Sequence, residues 1–234
     1  MTRPLENRIA LITGASRGLG AALARRFAAE GAHLILIART TGGLEETDDA
    51  VREAGGSATL VQMDLEDNDS IDGLAAPLLE RFGKIDIAIG NAAILGRLSP
   101  MGQYIPEVWE KVFKVNLLAN WRLIRAIDPL LRASDAGRMI FVTDRIDGAE
   151  APYWGPYAAS KAALEKMAGT YARETVQSNL RVNLVDPGKM RTALRAQAFP
   201  GENPQDVPAP ESKTDIFVSL ASPACRETGQ LFTA

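Results

Sequence analysis

The sequence predicts an α/β fold: a doubly wound parallel sheet with helices on both faces. Three observations carry the prediction. Short apolar, β-branched-rich runs alternate with helix-period segments along the chain. A glycine-rich turn, T-G-A-S-R-G-L-G, follows the first such run and opens the first helical segment. The 234 residues, 46% of them hydrophobic, suffice for one substantial core, so residues 1–234 read as a single domain.

The elements follow in order. I-A-L-I-T (9–13) is the first strand, and the glycine turn (13–20) leads into a helix over 19–30. L-I-L-I-A (34–38), A-T-L-V-Q-M (58–63) and I-D-I-A-I-G (85–90) are the next strands, each followed by a helical period, over 43–54, 70–82 and 107–131. M-I-F-V-T (139–143), a helix over 157–177, R-V-N-L-V (181–185) and Q-L-F-T (230–233) complete the alternation. Continuous apolar runs of this length suit strands covered on both faces. Right-handed crossovers then place a ligand crevice at the carboxyl ends of the strands. Residues 198–210 carry four prolines and cannot hold a regular helix or central strand. The wider segment 193–212 therefore reads as a loop over the crevice, either a substrate lid or a plain surface connector.

Composition narrows the partners. A formal net charge of −3, with no basic block, gives no nucleic-acid footprint and no patch for an anionic membrane. A small-molecule substrate is the expected partner. The single cysteine, Cys225, reads as packing, and no His/Cys cluster supports a metal site. The sole histidine, His33, starts the second strand away from the motifs and reads as structural. No signal-length apolar region opens the sequence and no run is long enough to cross a bilayer, so a cytoplasmic protein is expected.

Gly14, Gly18 and Gly20 sit where a strand hands over to a helix, with Ser16, Arg17 and Leu19 between them. Such a turn lets backbone approach a pyrophosphate at the positive end of the helix dipole. An acidic residue ending the second strand would hold the ribose hydroxyls of NAD, but L-I-L-I-A-R offers Arg39 instead. Arg39 and Arg17 together favour a 2′-phosphate, hence NADP over NAD, with NAD left open. Both could instead be solvated surface residues.

Tyr157 and Lys161, in Y-A-A-S-K, lie four residues apart and so share a helix face. At the crevice, the phenol could give a proton to a carbonyl oxygen as hydride reaches its carbon. A free phenol titrates near ~10, so bringing it to neutrality takes roughly 4 kcal/mol of preference for the anion. The ammonium of Lys161 acts in that direction.

These ordered motifs resemble the short-chain dehydrogenase/reductase family over essentially the whole chain. The resemblance implies a single Rossmann-like domain with a seven-stranded parallel sheet, an NAD(P)-dependent oxidoreductase activity and a homodimer or homotetramer. It assigns Asp64, with Leu65 beside it, to the adenine, and Asn91 and Ala92 in G-N-A-A to the wall of the cofactor site. Gly90 and Ala93 depart from the family's N-N-A-G. Asn116, in K-V-N-L, resembles the asparagine that kinks a helix and holds a relay water, while a plain buried backbone partner is the alternative. Pro187, Gly188 and Thr192, in D-P-G-K-M-R-T, resemble the residues beside the nicotinamide, whose ribose Lys161 would also bind.

Thirteen residues before the tyrosine, the family places a serine and this chain has Asp144. An ionised aspartate only accepts hydrogen bonds. At about 4 Å it would oppose a developing alkoxide by roughly 4 kcal/mol at an effective dielectric near 20. Three arrangements relieve this: burial protonates Asp144, Thr143 turns inward, or Arg145 neutralises it. Asp144 could instead point away to meet Arg145 or a backbone amide. A charged carboxylate would suit an iminium better than a ketone. The sequence thus predicts an NADPH-dependent reductase of a carbonyl or imine with Tyr157 as proton donor, with a cofactor-binding protein of little turnover as the alternative. Trp154 and Tyr153 suggest an apolar wall for the substrate. The stripe Trp109, Phe113, Leu117 and Trp121 reads as core by default, or else as a subunit interface.

Overall fold

The computed structural model describes residues 3–146 and 152–234. Seven strands form one sheet in the order β3-β2-β1-β4-β5-β6-β7, every neighbouring pair parallel. They are β1 (Ile9–Thr13), β2 (His33–Ala38), β3 (Ser57–Gln62), β4 (Ile87–Gly90), β5 (Arg138–Val142), β6 (Arg181–Asp186) and β7 (Leu231–Thr233). Winding runs outward from β1 to β3 and then resumes on the other side of β1 at β4. The reversal opens a crevice at the carboxyl ends of β1 and β4.

The two-residue period of a strand divides the apolar side chains between two cores. Ala10, Ile12, Leu34, Leu36, Ile87, Ile89 and Ile140 belong to one, and Leu11, Ile35, Ile37, Ala88, Met139 and Phe141 to the other. Helices cover both: α1 (Gly18–Ala29), α2 (Thr41–Glu53), α3 (Asn68–Asp72), α4 (Ala75–Phe82), α5 (Pro106–Phe113), α6 (Ala119–Arg132), α7 (Gly155–Glu174), α8 (Ala193–Ala198) and α9 (Asp215–Ala221).

Four expectations are corrected. The helix over 70–82 is two helices. Asp67 starts the first of them by accepting from the backbone N–H groups of Asp69 and Ser70, and the chain breaks at Gly73. The helix over 107–131 contains a π-helical segment, Lys114–Leu118, between α5 and α6. The segment 193–212 does not begin as a loop. Thr192 accepts from the Arg195 N–H at 3.2 Å and caps α8, and only then do the prolines impose irregular backbone with 3₁₀ turns at Pro204–Asp206 and Pro210–Lys213. Finally, the aromatic stripe is not core: Trp109, Phe113 and Leu117 are half-buried and Trp121 is 43% exposed, with Arg122 and Arg125 over its ring.

Candidate active site

The glycine turn is required by geometry at three points. Gly14 and Gly18 have φ of +67° and +56°, in the left-handed region. A Cβ on Gly20 would lie 2.2 Å from the Gly14 carbonyl oxygen, so α1 can rest on the turn only without one. The Thr13 hydroxyl accepts from the N–H groups of Asn91 (3.0 Å) and Ala92 (3.1 Å) and donates to the Ile89 carbonyl (3.2 Å). The Asn91 amide donates to the Thr13 carbonyl at 2.8 Å. These bonds lock the exit of β4 to the exit of β1. At Gly90 a Cβ would meet Asn120 Oδ1 at 2.4 Å and Phe141 at 2.7 Å, which explains the glycine there.

A cleft of about 720 Å³ opens above these ends. Every sequence-predicted cofactor residue lines it except Gly20, which lies beneath the turn. Arg17 and Arg39 stand exposed at its rim, and among the described residues neither makes an ion pair. Asp64 faces the cleft while its Oδ1 accepts from the Glu66 N–H at 3.0 Å, so it also caps its own turn. The residues fit a dinucleotide: a strained glycine turn at a helix N-terminus, a long cleft, and two cations where the second strand ends without a carboxylate.

At the other end of the cleft, α7 presents Tyr157 and Lys161 on one face. Tyr157 is 3% exposed, and its hydroxyl donates to Asp144 Oδ2 at 2.9 Å. The Lys161 ammonium donates to the Val142 carbonyl at 2.7 Å and lies 5.7 Å from the Tyr157 ring centre. Asn116 sits fully buried in the π-helical segment, behind the cleft wall rather than on it. Its amide donates to the Ile94 carbonyl (3.0 Å) and Ser160 Oγ (3.1 Å), and its oxygen accepts from the Ile94 N–H (2.9 Å). It thereby fixes Ile94, which does line the cleft. His33 is remote from all of this, bonded to the hydroxyls of Ser57 and Thr59.

The surroundings of Asp144 select among the arrangements open to the sequence. Thr143 does not turn inward, since its hydroxyl donates to Glu165 Oε1 at 2.9 Å. Arg145 does not neutralise Asp144, because its guanidinium pairs with Glu165 Oε2 at 3.5 Å. Nor does Asp144 point away. Burial raises its pKa, against the opposing pull of the Tyr157 hydrogen bond and Lys161. The expectation that Lys161 brings the phenol towards neutrality is corrected. Burial, then the charge and hydrogen bond of Asp144, hold Tyr157 well above the usual phenol range. The Lys161 ammonium is itself pulled down to about 8 by burial.

Three side chains that order the surroundings of the cleft escaped the sequence reading. Thr13 ends β1 with nothing to distinguish it from a strand residue. Asp186 accepts from the N–H groups of Gly188 (2.8 Å) and Arg145 (3.3 Å), and its place before Pro-Gly is an Asx-turn signal. Glu165 follows Lys161 by four residues, a spacing that marks the same helix face. Trp154 packs against Tyr157 (5.6 Å between ring centres) and against Phe199 of the proline-rich segment (5.9 Å), giving the reaction end an apolar wall.

Comparison with known proteins decides the family. The family profile described as short chain dehydrogenase matches residues 8–203. The chain belongs to the short-chain dehydrogenase family. The uncharacterized oxidoreductase YciK of Escherichia coli K12 is 36% identical over 98% of this chain and 92% of its own. The 3beta-hydroxysteroid dehydrogenase 1 of Eggerthella lenta is 38% identical over 83% of this chain and 75% of its own. A short-chain dehydrogenase structure from Escherichia coli CFT073, solved with NADPH, superposes with a TM-score of 0.93 at 36% identity, covering 100% of this chain and 99% of that one. One from Shigella flexneri 2a, solved with NADP, gives 0.94 at 35%, again covering 100% and 99%. As a short-chain dehydrogenase this protein is an oxidoreductase of CH–OH and C=O groups that works with a nicotinamide dinucleotide. Among the described residues, no helix is long and apolar enough to cross a membrane, and no His, Cys, Asp and Glu group is arranged to hold a metal.

Proposed function

We propose that this short-chain dehydrogenase is a cytoplasmic, NADPH-dependent reductase of a C=O or C=N bond in a small apolar substrate, with Tyr157 as the proton donor. One observation carries the reading: the Tyr157 hydroxyl is buried at the reaction end of the cleft, with Asp144 keeping its proton in place. A phenol held protonated favours reduction over oxidation. An alkoxide is more basic than a phenolate, so the transfer still runs towards product.

The remaining roles follow from position. The turn from Gly14 to Gly20 and the N-terminus of α1 would hold the pyrophosphate, and Arg17 and Arg39 the 2′-phosphate. The NADPH and NADP in the two structural neighbours support that preference. Pro187, Gly188 and Thr192 would flank the nicotinamide, with Asp64, Leu65, Asn91 and Ala92 along the rest of the dinucleotide. NADPH, when bound, supplies the hydride. Lys161 brings positive charge under the tyrosine, while Trp154 and Phe199 keep water from the reacting carbon. Residues 193–212 act as the lid: Gln197 of α8 donates to the Gly96 carbonyl, in the segment after β4, at 2.8 Å. A homodimer or homotetramer would cover exposed Leu118 and Trp121.

The test is a fluorescence titration with NADPH and NADH, followed by dinucleotide oxidation on a panel of ketones and imines. NADPH is expected to bind more tightly. Arg39→Ala should weaken NADPH by about 10–100-fold and leave NADH nearly unchanged, the effect of losing a charge-assisted bond. Binding without turnover on any compound would leave a cofactor-binding protein instead.

A further inference from the structure

We propose that the bond reduced here is a C=N bond with a basic nitrogen, as in a cyclic imine or Schiff base, and that Asp144 is the residue that pairs with that nitrogen as a cation while Tyr157 supplies its proton. The inference rests on the reductase reading above and narrows its substrate class.

The first support is how Asp144 is aimed. Along an extended chain successive side chains alternate in direction. Glu165, on α7, fastens both neighbours of Asp144 to one side, Thr143 at 2.9 Å and Arg145 at 3.5 Å. Asp144 is left on the other side, in the cleft, where Oδ2 meets the Tyr157 hydroxyl at 2.9 Å.

The second support is what surrounds it. Arg145 is engaged by Glu165, and Arg195 of α8 is held by Glu202 through two bonds of 2.7 Å. Lys161 is directed at the Val142 carbonyl. From β6, Asp186 adds a second carboxylate to the cleft wall. Asp144, the carboxylate bonded to the Tyr157 hydroxyl, thus lies at the reacting point with Asp186 near it, and Lys161 and Arg195 act on it through their charge.

That setting opposes a ketone, whose oxygen becomes an anion, and suits an imine, which must become a cation before it accepts hydride. The C=N π bond breaks as its carbon gains a hydride, and its nitrogen gains the Tyr157 proton. The reduced nicotinamide gives up the hydride pair and ends oxidised. Asp144, as a carboxylate, pairs with the iminium until the hydride neutralises it, and Tyr157, beside the Lys161 ammonium, then regains its proton from solvent. The product is an amine.

Paired probes of matched shape test this: dihydroisoquinoline against α-tetralone as substrates with NADPH, and tetrahydroisoquinoline against α-tetralol as ligands measured calorimetrically in the presence of NADP. The wild type should reduce the imine with kcat/KM at least about tenfold above the ketone, and Asp144→Ser should reverse that order. Asp144→Asn should weaken the amine by about tenfold or more and leave the alcohol within about twofold. Should neither substrate turn over, the amine binding decides. A wild-type preference for the ketone, an equal gain on both substrates in Asp144→Ser, or amine affinity indifferent to Asp144→Asn would overturn the inference. Failure of NADPH to bind at all would instead remove the underlying reductase reading.

Discussion

At the scale of single residues, Lys161 is the group whose charge the proposed reaction needs and the fold opposes. Its ammonium is fully buried and pulled down from 10.5 to about 8 by desolvation, against the attraction of Asp144, Asp186 and Glu165. Below about 8 both folded and unfolded chains hold the proton, and the burial cost is present in full. Between about 8 and 10.5 the unfolded chain holds a proton that the folded one lacks, so this residue makes stability rise with pH across that window. Activity moves the other way. The pH profile of kcat/KM for reduction should fall as pH rises through about 8, and Lys161→Met should abolish that limb together with most turnover. A profile flat to pH ~10 would contradict the role given to this lysine. The sequence made the Tyr157–Lys161 pair and the oddity of Asp144 legible, because each lies within a motif of fixed spacing. What it could not supply was the direction of the Asp144 side chain. That depends on Glu165, a residue twenty-one positions away brought close only by the packing of α7 on β5.

At the scale of elements, the strands and the long helices were legible because their apolar residues repeat with the right period. The breaks were not. The π-helical segment at Lys114–Leu118 arises where Asn116 turns its amide to Ile94, a tertiary contact that no apolar period reveals and that only the family's helix-kinking asparagine pointed to. Helix α9 is seven residues long, too short to show a period, yet Phe217, Val218 and Leu220 are buried. Its end is held by Arg138 at the start of β5. The guanidinium is 2% exposed and its five N–H groups donate to five carbonyls, those of Gly137, Asn179, Ser222, Pro223 and Cys225. This one side chain joins β5, the approach to β6 and the segment after α9. Arg138→Met fills similar space but strands those carbonyls, so a loss of about 3 kcal/mol is expected, read as a fall in Tm of about 6–12 °C. Cofactor binding, at the opposite ends of the strands, should survive in the protein that remains folded.

At the scale of the whole molecule, the winding reversal between β1 and β4 decides where chemistry can occur. It gathers the glycine turn, Arg39, the Asn91 wall, Tyr157 and Pro187 at one edge of the sheet, although they span most of the sequence. Stapling by Arg138 and the ion pairs of Arg8 with Asp86 and Asp135 lie at the amino-terminal ends of the strands. Stabilising contacts and the proposed reactive site thus occupy opposite edges. Tyr157→Phe tests the proposed chemistry most directly because it removes one hydroxyl from the reactive edge and nothing from the other. NADPH should bind within about twofold of the wild type, and turnover on any substrate the wild type reduces should fall by at least about 10²-fold. Turnover close to that of the wild type would contradict Tyr157 as the proton donor.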